Sequence, residues 1–416
     1  MRRTSAFLIT LAAALLLLAG PASAQTPLPD LPLPKLGPAP DLQPVEGQSA
    51  TPEVLRDCQD AGMPSAQVAG VDPRGVDPHA PNPLTGLRFF VDPTEPAFQS
   101  YSRFTRQGRK NDAQLMWKLA GQPRFRWFGR WTRPHFGEKV HNYLQCVAAL
   151  QPGTVPLMTV MRHQGKKCNQ KYTAGGAAED ARTRQWYDTF AKGVGSARVV
   201  IAFEPDSLGT LECLKPSRRI SRLNVLRYGV NVLSQLPNAT VYLEGGASDW
   251  EPAQRTARQL RYIGIGKVRG FMLNTTHYDW TGNNIKHGLK ISRLTGGKHF
   301  IISTAFNGRG PVHYKKWISH HPHIWRIINV WCHPLKRGLG PAPTTSTARP
   351  DKVDGYMWIG RPGYSGGSCN GGPLPVGTWW PERALMYSSF ATNWLRPPSG
   401  TRAGLFGHPS LSSLGG

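Results

Sequence analysis

The chain has 416 residues, 39% hydrophobic and 18% charged, enough apolar material for a sizeable core, which excludes a wholly disordered polymer. Its 50 Lys and Arg against 25 Asp and Glu leave a formal net charge of +25. Six Cys are too few for a disulfide-built miniprotein, and their even number suits full pairing in an oxidising compartment.

The N-terminus opens on Arg2-Arg3, an uncharged apolar run from Ala6 to Gly20, and the small-residue pattern Ala22-Ser23-Ala24. That run holds 15 residues, short of the roughly 20 that span a bilayer, so residues 1–24 read as a signal peptide and the mature protein as secreted and extracellular. Residues 25–50 are Pro-rich and read as a PPII-like linker. Residues 51–81, which hold Cys58, form an N-terminal lead-in of unassigned structure. One domain follows over 82–396, with no internal repeat, and 397–416 is a Gly/Ser/Pro-rich flexible tail.

Within the domain, β-branched and aromatic runs predict strands at Leu87–Val91, Arg124–Trp131, Val155–Arg162, Arg198–Glu204, Thr240–Glu244, Gly270–Thr275, His299–Thr304 and Gly355–Ile359. Several are continuously apolar, as strands buried on both faces are, and the intervals suit crossover helices. The pattern is that of an α/β fold, either a closed parallel β/α barrel or an open doubly wound sheet. Polar groups gather where the strands end: Glu204-Pro205-Asp206, Glu244, Asn274 and Trp331-Cys332. In α/β barrels those ends build the active site.

At the segment Ala202 to Gly209 (AFEPDSLG) the chain resembles glycoside hydrolase family 6, the cellobiohydrolases and endo-β-1,4-glucanases. The likeness runs from Asn82 to Trp394 through nine collinear segments: NPLTGLRFFVDP, RWFGRW, TVPLMTVMRHQGKKC with YTAGG, VVIAFEPDSLG, VYLEGGASDW, GFMLNTTHY, FIISTAFNGRG, WCHPLKRGLGPAPT and VDGYMWIGRPGYSGGSC. It implies a distorted, TIM-like parallel β/α barrel with a cleft or tunnel, and hydrolysis of β-1,4-glucan with inversion. It also implies one disulfide between Cys168 and Cys213 and another between Cys332 and Cys369. Cys58 and Cys146 are left over, as a third bridge or as free thiols.

Inversion needs an acid for the leaving oxygen and a base, direct or through water, on the opposite face of the sugar. The resemblance places Asp206 as proton donor and Glu204 as its buried structural partner. The rest of the constellation is altered. The family's Tyr is Met161, and Lys166-Lys167-Cys168 replace its Arg-Asp-Cys, whose Asp helps keep the acid protonated. A lysine there predicts a lowered Asp206 pKa. In the later motif the family's Lys, Glu and base Asp have become Gly360, Tyr364 and Gly366; in the Asp-Ala-Gly-His motif, the Asp is Glu244 and the His is Ala247. Glu244 and Asp249 are the nearest carboxylates able to stand in as base. Trp127, Trp250 and Trp331 match sugar-subsite tryptophans, whose broad apolar faces suit pyranose rings, and Thr173 and Asn274 match polar contacts to the glycan. Short loops between Thr276 and Phe300 and around Pro373 favour a cleft over a tunnel.

Two readings result: a hydrolase with a weak, relocated or water-mediated base, and a catalytically impaired glycan- or envelope-binding protein. From Arg255 to Pro341 fifteen Lys and Arg face one acid, Asp279, a field that would draw anionic cell-envelope polymers. No nucleic-acid-binding motif is present. His320, His321 and His323 lack the Cys partners of a zinc site, so no metal or other cofactor is expected, and the protein is expected to be a monomer.

Overall fold

Strand formation follows the apolar runs, but the ladders are shorter than the runs themselves. In the computed structural model the described residues are 81–132, 134–163, 176–319, 324–393 and 395. The proposed signal peptide, linker and tail, Cys58, Lys166, Lys167, Cys168, Thr173 and His320, His321 and His323 lie outside them.

Seven strands form one parallel sheet among the described residues: β1 (Arg126–Gly129), β2 (Leu157–Met161), β3 (Val199–Phe203), β4 (Ala239–Glu244), β5 (Gly270–Leu273), β6 (His299–Ser303) and, after two further strands, β9 (Val353–Met357). Their spatial order follows the chain without reversal, which excludes a doubly wound sheet with its switch point. The sheet curls into a distorted half-barrel. Its edges meet through the Phe125 amide, which donates to the Trp358 carbonyl at 3.2 Å, and the Trp127 indole N–H, which donates to the Ile359 carbonyl at 2.7 Å.

The two faces of the strands bury different cores, as a period of two requires. Leu157, Val200, Ala202, Tyr242, Met272, Ile301 and Met357 fill the concave interior together with Leu84 and Phe125. Val199, Ile201, Phe203, Leu243, Phe271 and Ile302 point outward against a helical layer. That layer is α3 (Phe136–Leu150), α4 (Ala177–Val194), α5 (Pro216–Leu233), α6 (Ala253–Ile263) and α7 (Thr281–Leu294). Along α4 the buried residues Thr183, Trp186, Tyr187, Phe190 and Val194 recur at the three- and four-residue spacing that puts one stripe on the sheet. A second cluster joins α1 (Pro96–Arg106), α2 (Lys110–Ala120) and α8 (Pro381–Ser389) around Phe98, Met116, Leu119, Trp358 and Tyr387.

Two features depart from expectation. Leu87–Val91 makes one bridge, Phe89 with Val155, instead of a strand. Its ladder stops because the Gln151 side chain takes both backbone groups of Val91, accepting from the amide at 3.1 Å and donating to the carbonyl at 2.8 Å. The stretch before β9 also holds an unforeseen antiparallel hairpin, β7 (His313–Ser319) with β8 (Ile324–Asn329). No described helix is long and apolar enough to cross a membrane.

At the N-terminal mouth of the sheet a charged plug closes the interior. Asp354 accepts from Tyr242 Oη at 2.7 Å and Arg269 Nε at 2.8 Å, and lies 2.9 Å from His299 Nδ1. The opposite, C-terminal mouth is left for chemistry.

Candidate active site

Three non-glycine residues at the C-terminal strand ends hold left-handed backbone: Glu204 (φ 54°), Asp206 (φ 67°) and Asn274 (φ 67°). Such conformations cost of order 1–3 kcal/mol each and persist only where surrounding bonds impose them. At Glu204 those bonds are visible. Its buried carboxylate accepts from the Arg162 amide (2.7 Å), the His163 amide (2.9 Å) and Tyr187 Oη (2.7 Å), clasping the end of β2 to β3. Burial raises its pKa to about 6 against these donors. All its oxygens are committed, so it shapes the turn that presents Asp206.

Asp206 Oδ1 accepts from Thr276 Oγ1 at 2.7 Å, across from the end of β5. Burial raises the Asp206 pKa, and the Thr276 hydrogen bond and nearby His277 oppose the rise. The acid is therefore displaced upward by its described surroundings; Lys166 and Lys167, from which a lowering was expected, lie outside the described residues. Glu244, which ends β4, is pushed up to about 8 by burial and by Asp206. The Gly246 amide donates to its Oε1 at 2.6 Å, while Oε2 is buried without a hydrogen-bond partner. Burial and the neighbouring Asp206 thus leave Glu244 protonated at neutral pH. A protonated carboxyl is no base, which weighs against the stand-in role expected of it.

Asp249 is engaged elsewhere: its Oδ1 lies 2.8 Å from His277 Nδ1. The His277 ring stacks on Trp250 with centroids 4.8 Å apart and planes 18° from parallel. Trp250 in turn lies against the backbone of Gly209. Asp249, His277 and Trp250 therefore form one unit beside Asp206. Asn274 is corrected by its surroundings. It is buried, and its Nδ2 donates to the carbonyls of Asp279 (3.2 Å) and Ser303 (3.0 Å), so it braces the rim rather than facing a glycan.

In the segment after β9, Gly366 occupies the position where the resemblance puts the base. Its amide donates to His333 Nε2 at 2.7 Å, and a Cβ added there would meet that nitrogen at 3.6 Å, an ordinary contact. Burial and Arg383 hold the His333 pKa down to about 4, so the ring is neutral. Trp127, half-buried on β1, is brought beside Arg361 and Tyr364 from the segment after β9. Trp331 stays 49% exposed next to the disulfide Cys332–Cys369. Cys146 and Cys213 are also disulfide-bonded, with partners outside the described residues. Cys332, His333 and Cys369 have metal-ligand chemistry and lie within 4.8 Å of one another, but the disulfide removes both thiolates.

Thr276, His277, His333 and Arg361 were not singled out from sequence. Asp249 and His277 stand 28 residues apart, and only the adjacency of β4 and β5 joins them. A Thr-Thr-His run directly after a buried strand was the one local signal available for the first two.

The family model of glycosyl hydrolases family 6 matches residues 84–389. Endoglucanase A of Cellulomonas fimi is 32% identical over 308 residues, which are 73% of this chain and 61% of that protein. Endoglucanase 1 of Streptomyces halstedii is 28% identical over 314 residues, 74% of this chain and 90% of that protein. The chain thus spans about three fifths of the first relative's length and nine tenths of the second's. Among solved structures, the endoglucanase Cel6 of Mycobacterium tuberculosis, in complex with a methyl-cellobiosyl-thio-cellobioside, superposes with a TM-score of 0.63 at 33% identity, covering 74% of this chain and 99% of that one. Endoglucanase CEL6B of Humicola insolens, at 18% identity and a TM-score of 0.60, shares the fold.

Proposed function

Because the chain belongs to glycosyl hydrolases family 6, we propose that it is a secreted glycoside hydrolase that cleaves β-1,4-glucan chains with inversion, using Asp206 as proton donor. The observation that carries this reading is the Asp206 carboxyl itself: at the C-terminal mouth, raised by burial, tied to Thr276 and facing a second buried carboxyl. A proton donor must hold its proton near its working pH, and burial, which raises the Asp206 pKa, favours that state. Trp127 and Trp250 are half-buried indoles, the kind of apolar surface on which sugar rings stack. Water activation has no carboxylate at Gly366. The attacking water releases its proton through bridging water to bulk solvent instead, and turnover falls by about 10²–10⁴-fold relative to a site with a direct base.

Gly366 also favours a second reading, a glycan-binding protein without turnover. Purified protein incubated with cello-oligosaccharides decides between them. Inverted product from wild type and none from Asp206→Asn supports the hydrolase; equal binding by both with no product supports the binding protein.

A separate surface supports a partner of opposite charge. Arg258, Arg261, Lys286, Lys290 and Arg293 are exposed on α6 and α7, and neither helix carries an acid. This face would hold anionic envelope polymers, and retention on such a polymer should fall steeply with added salt.

A further inference from the structure

Among the described residues, Arg361 is a charged group beside Trp127 that the proposed chemistry leaves unused. It sits just after β9, half-buried, with its guanidinium carbon 3.6 Å from the Tyr364 ring centroid and 5.9 Å from that of Trp127. Both rings are fixed. The Trp127 indole N–H donates to the Ile359 carbonyl at 2.7 Å, and Tyr364 Oη donates to Glu95 Oε2 at 2.6 Å.

Charge counting isolates Arg361. Below it, Glu95 pairs with Arg126 at 3.4 Å and Arg124 at 3.8 Å, and Asp92 pairs with Arg126 at 3.0 Å. Two carboxylates are thus matched by two arginines. Arg361 is near enough to help lower the Glu95 pKa, yet it makes no hydrogen bond or ion pair of its own among the described residues. Its nitrogens are absent from the buried unpaired atoms, so solvent reaches them. A guanidinium stacked on Tyr364 and beside Trp127, with its planar fork unoccupied, is a receptor for a carboxylate. The residues around it have also shed negative charge, since Tyr364 and Gly366 stand where the resemblance puts carboxylates.

We propose that Arg361 makes the Trp127 subsite specific for an acidic sugar: a β-1,4-linked chain carrying a carboxylate on the unit that stacks on Trp127. Trp127 supplies the apolar platform, and Arg361 takes the carboxylate through two parallel N–H···O bonds. This rests on the glycan-groove reading above. It would also give the protein's excess of positive charge a bearing on its substrate, which a neutral glucan does not.

The test is calorimetric titration of the full chain, in an Asp206→Asn host that does not consume ligand. Cello-oligosaccharides are compared with the same oligosaccharides oxidised to carboxylates at C6. A charge-assisted pair at a half-buried site predicts roughly tenfold to hundredfold tighter binding of the oxidised ligand at low salt. Arg361→Gln should abolish that preference and leave the neutral ligand within about threefold. Arg361→Lys should keep part of it, because the charge remains while the fork is lost. Equal affinity for the two ligands overturns the acidic-sugar assignment and leaves the groove standing. Parallel weakening of both by Arg361→Gln overturns it too, marking the residue as structural. If neither ligand binds, the groove reading falls, and the assignment falls with it.

Discussion

Glu244→Gln should leave the protein more stable than wild type at pH 7, by an amount that grows with pH. The Glu244 carboxyl has an ordinary pKa of 4.5 and is raised to about 8 in the folded chain, where its side chain is almost fully buried. Below pH 4.5 both states are protonated and the group contributes nothing. Between 4.5 and about 8 the unfolded chain loses the proton and the folded chain keeps it, so stability falls as pH rises. At pH 7 the gap is 2.5 units above the ordinary value, or about 3 kcal/mol at 1.36 kcal/mol per unit. Glutamine is neutral throughout, still accepts from the Gly246 amide through its oxygen, and places its nitrogen where Oε2 already lacks a partner. Urea unfolding with disulfides intact, followed at pH 4, 5.5 and 7, measures the difference. Coincident curves at pH 4 and a gap of about 3 kcal/mol at pH 7 are expected. A gap independent of pH would refute the argument, because it would mean Glu244 is ionised when folded.

Gly366→Asp should raise turnover of cello-oligosaccharides by about 100-fold, since a Cβ fits there and the added carboxylate gives the attacking water a direct base; initial rates by reducing-end assay check it. Gly209→Ala should weaken cello-oligosaccharide binding by about three- to tenfold, because the new methyl overlaps the Trp250 indole and prises it from His277; calorimetry together with tryptophan emission reports both effects. Asp354→Asn should destabilise by about 3–5 kcal/mol, since it leaves Arg269 charged without its partner in the plug. Hydrogen bonds and the Arg269 charge lower the Asp354 pKa, against the pull of burial. The stability it contributes is present above the ordinary carboxylate range and lost as pH falls through the folded value, so the variant's deficit should shrink in acid; thermal melts against pH read this.

What local pattern carried was the list of buried strands and the order of the chemistry along it. Val-Val-Ile-Ala-Phe is a continuous, β-branched apolar run of the kind doubly buried strands carry, and the Glu-Pro-Asp after it puts carboxylates where an α/β fold builds its site. The stopped ladder at Val91 and the hairpin of β7 with β8 lay beyond that reading, because a distant Gln151 amide and a partner strand decide them. Closure was open too: a parallel run fits a barrel or a doubly wound sheet, and only the monotonic strand order with Phe125 against Trp358 separates them. The protonation states are likewise tertiary. Whether Asp206 sits high or low depends on burial, Thr276 and His277, and Glu244 sits high because of burial and Asp206, groups brought together from β3, β4 and the segment after β5; no spacing within one segment encodes those distances. Residue identity determines which groups can exchange a proton or hold an anion; the packing of neighbouring strands determines how much water each of them keeps, and with it the charge each one carries.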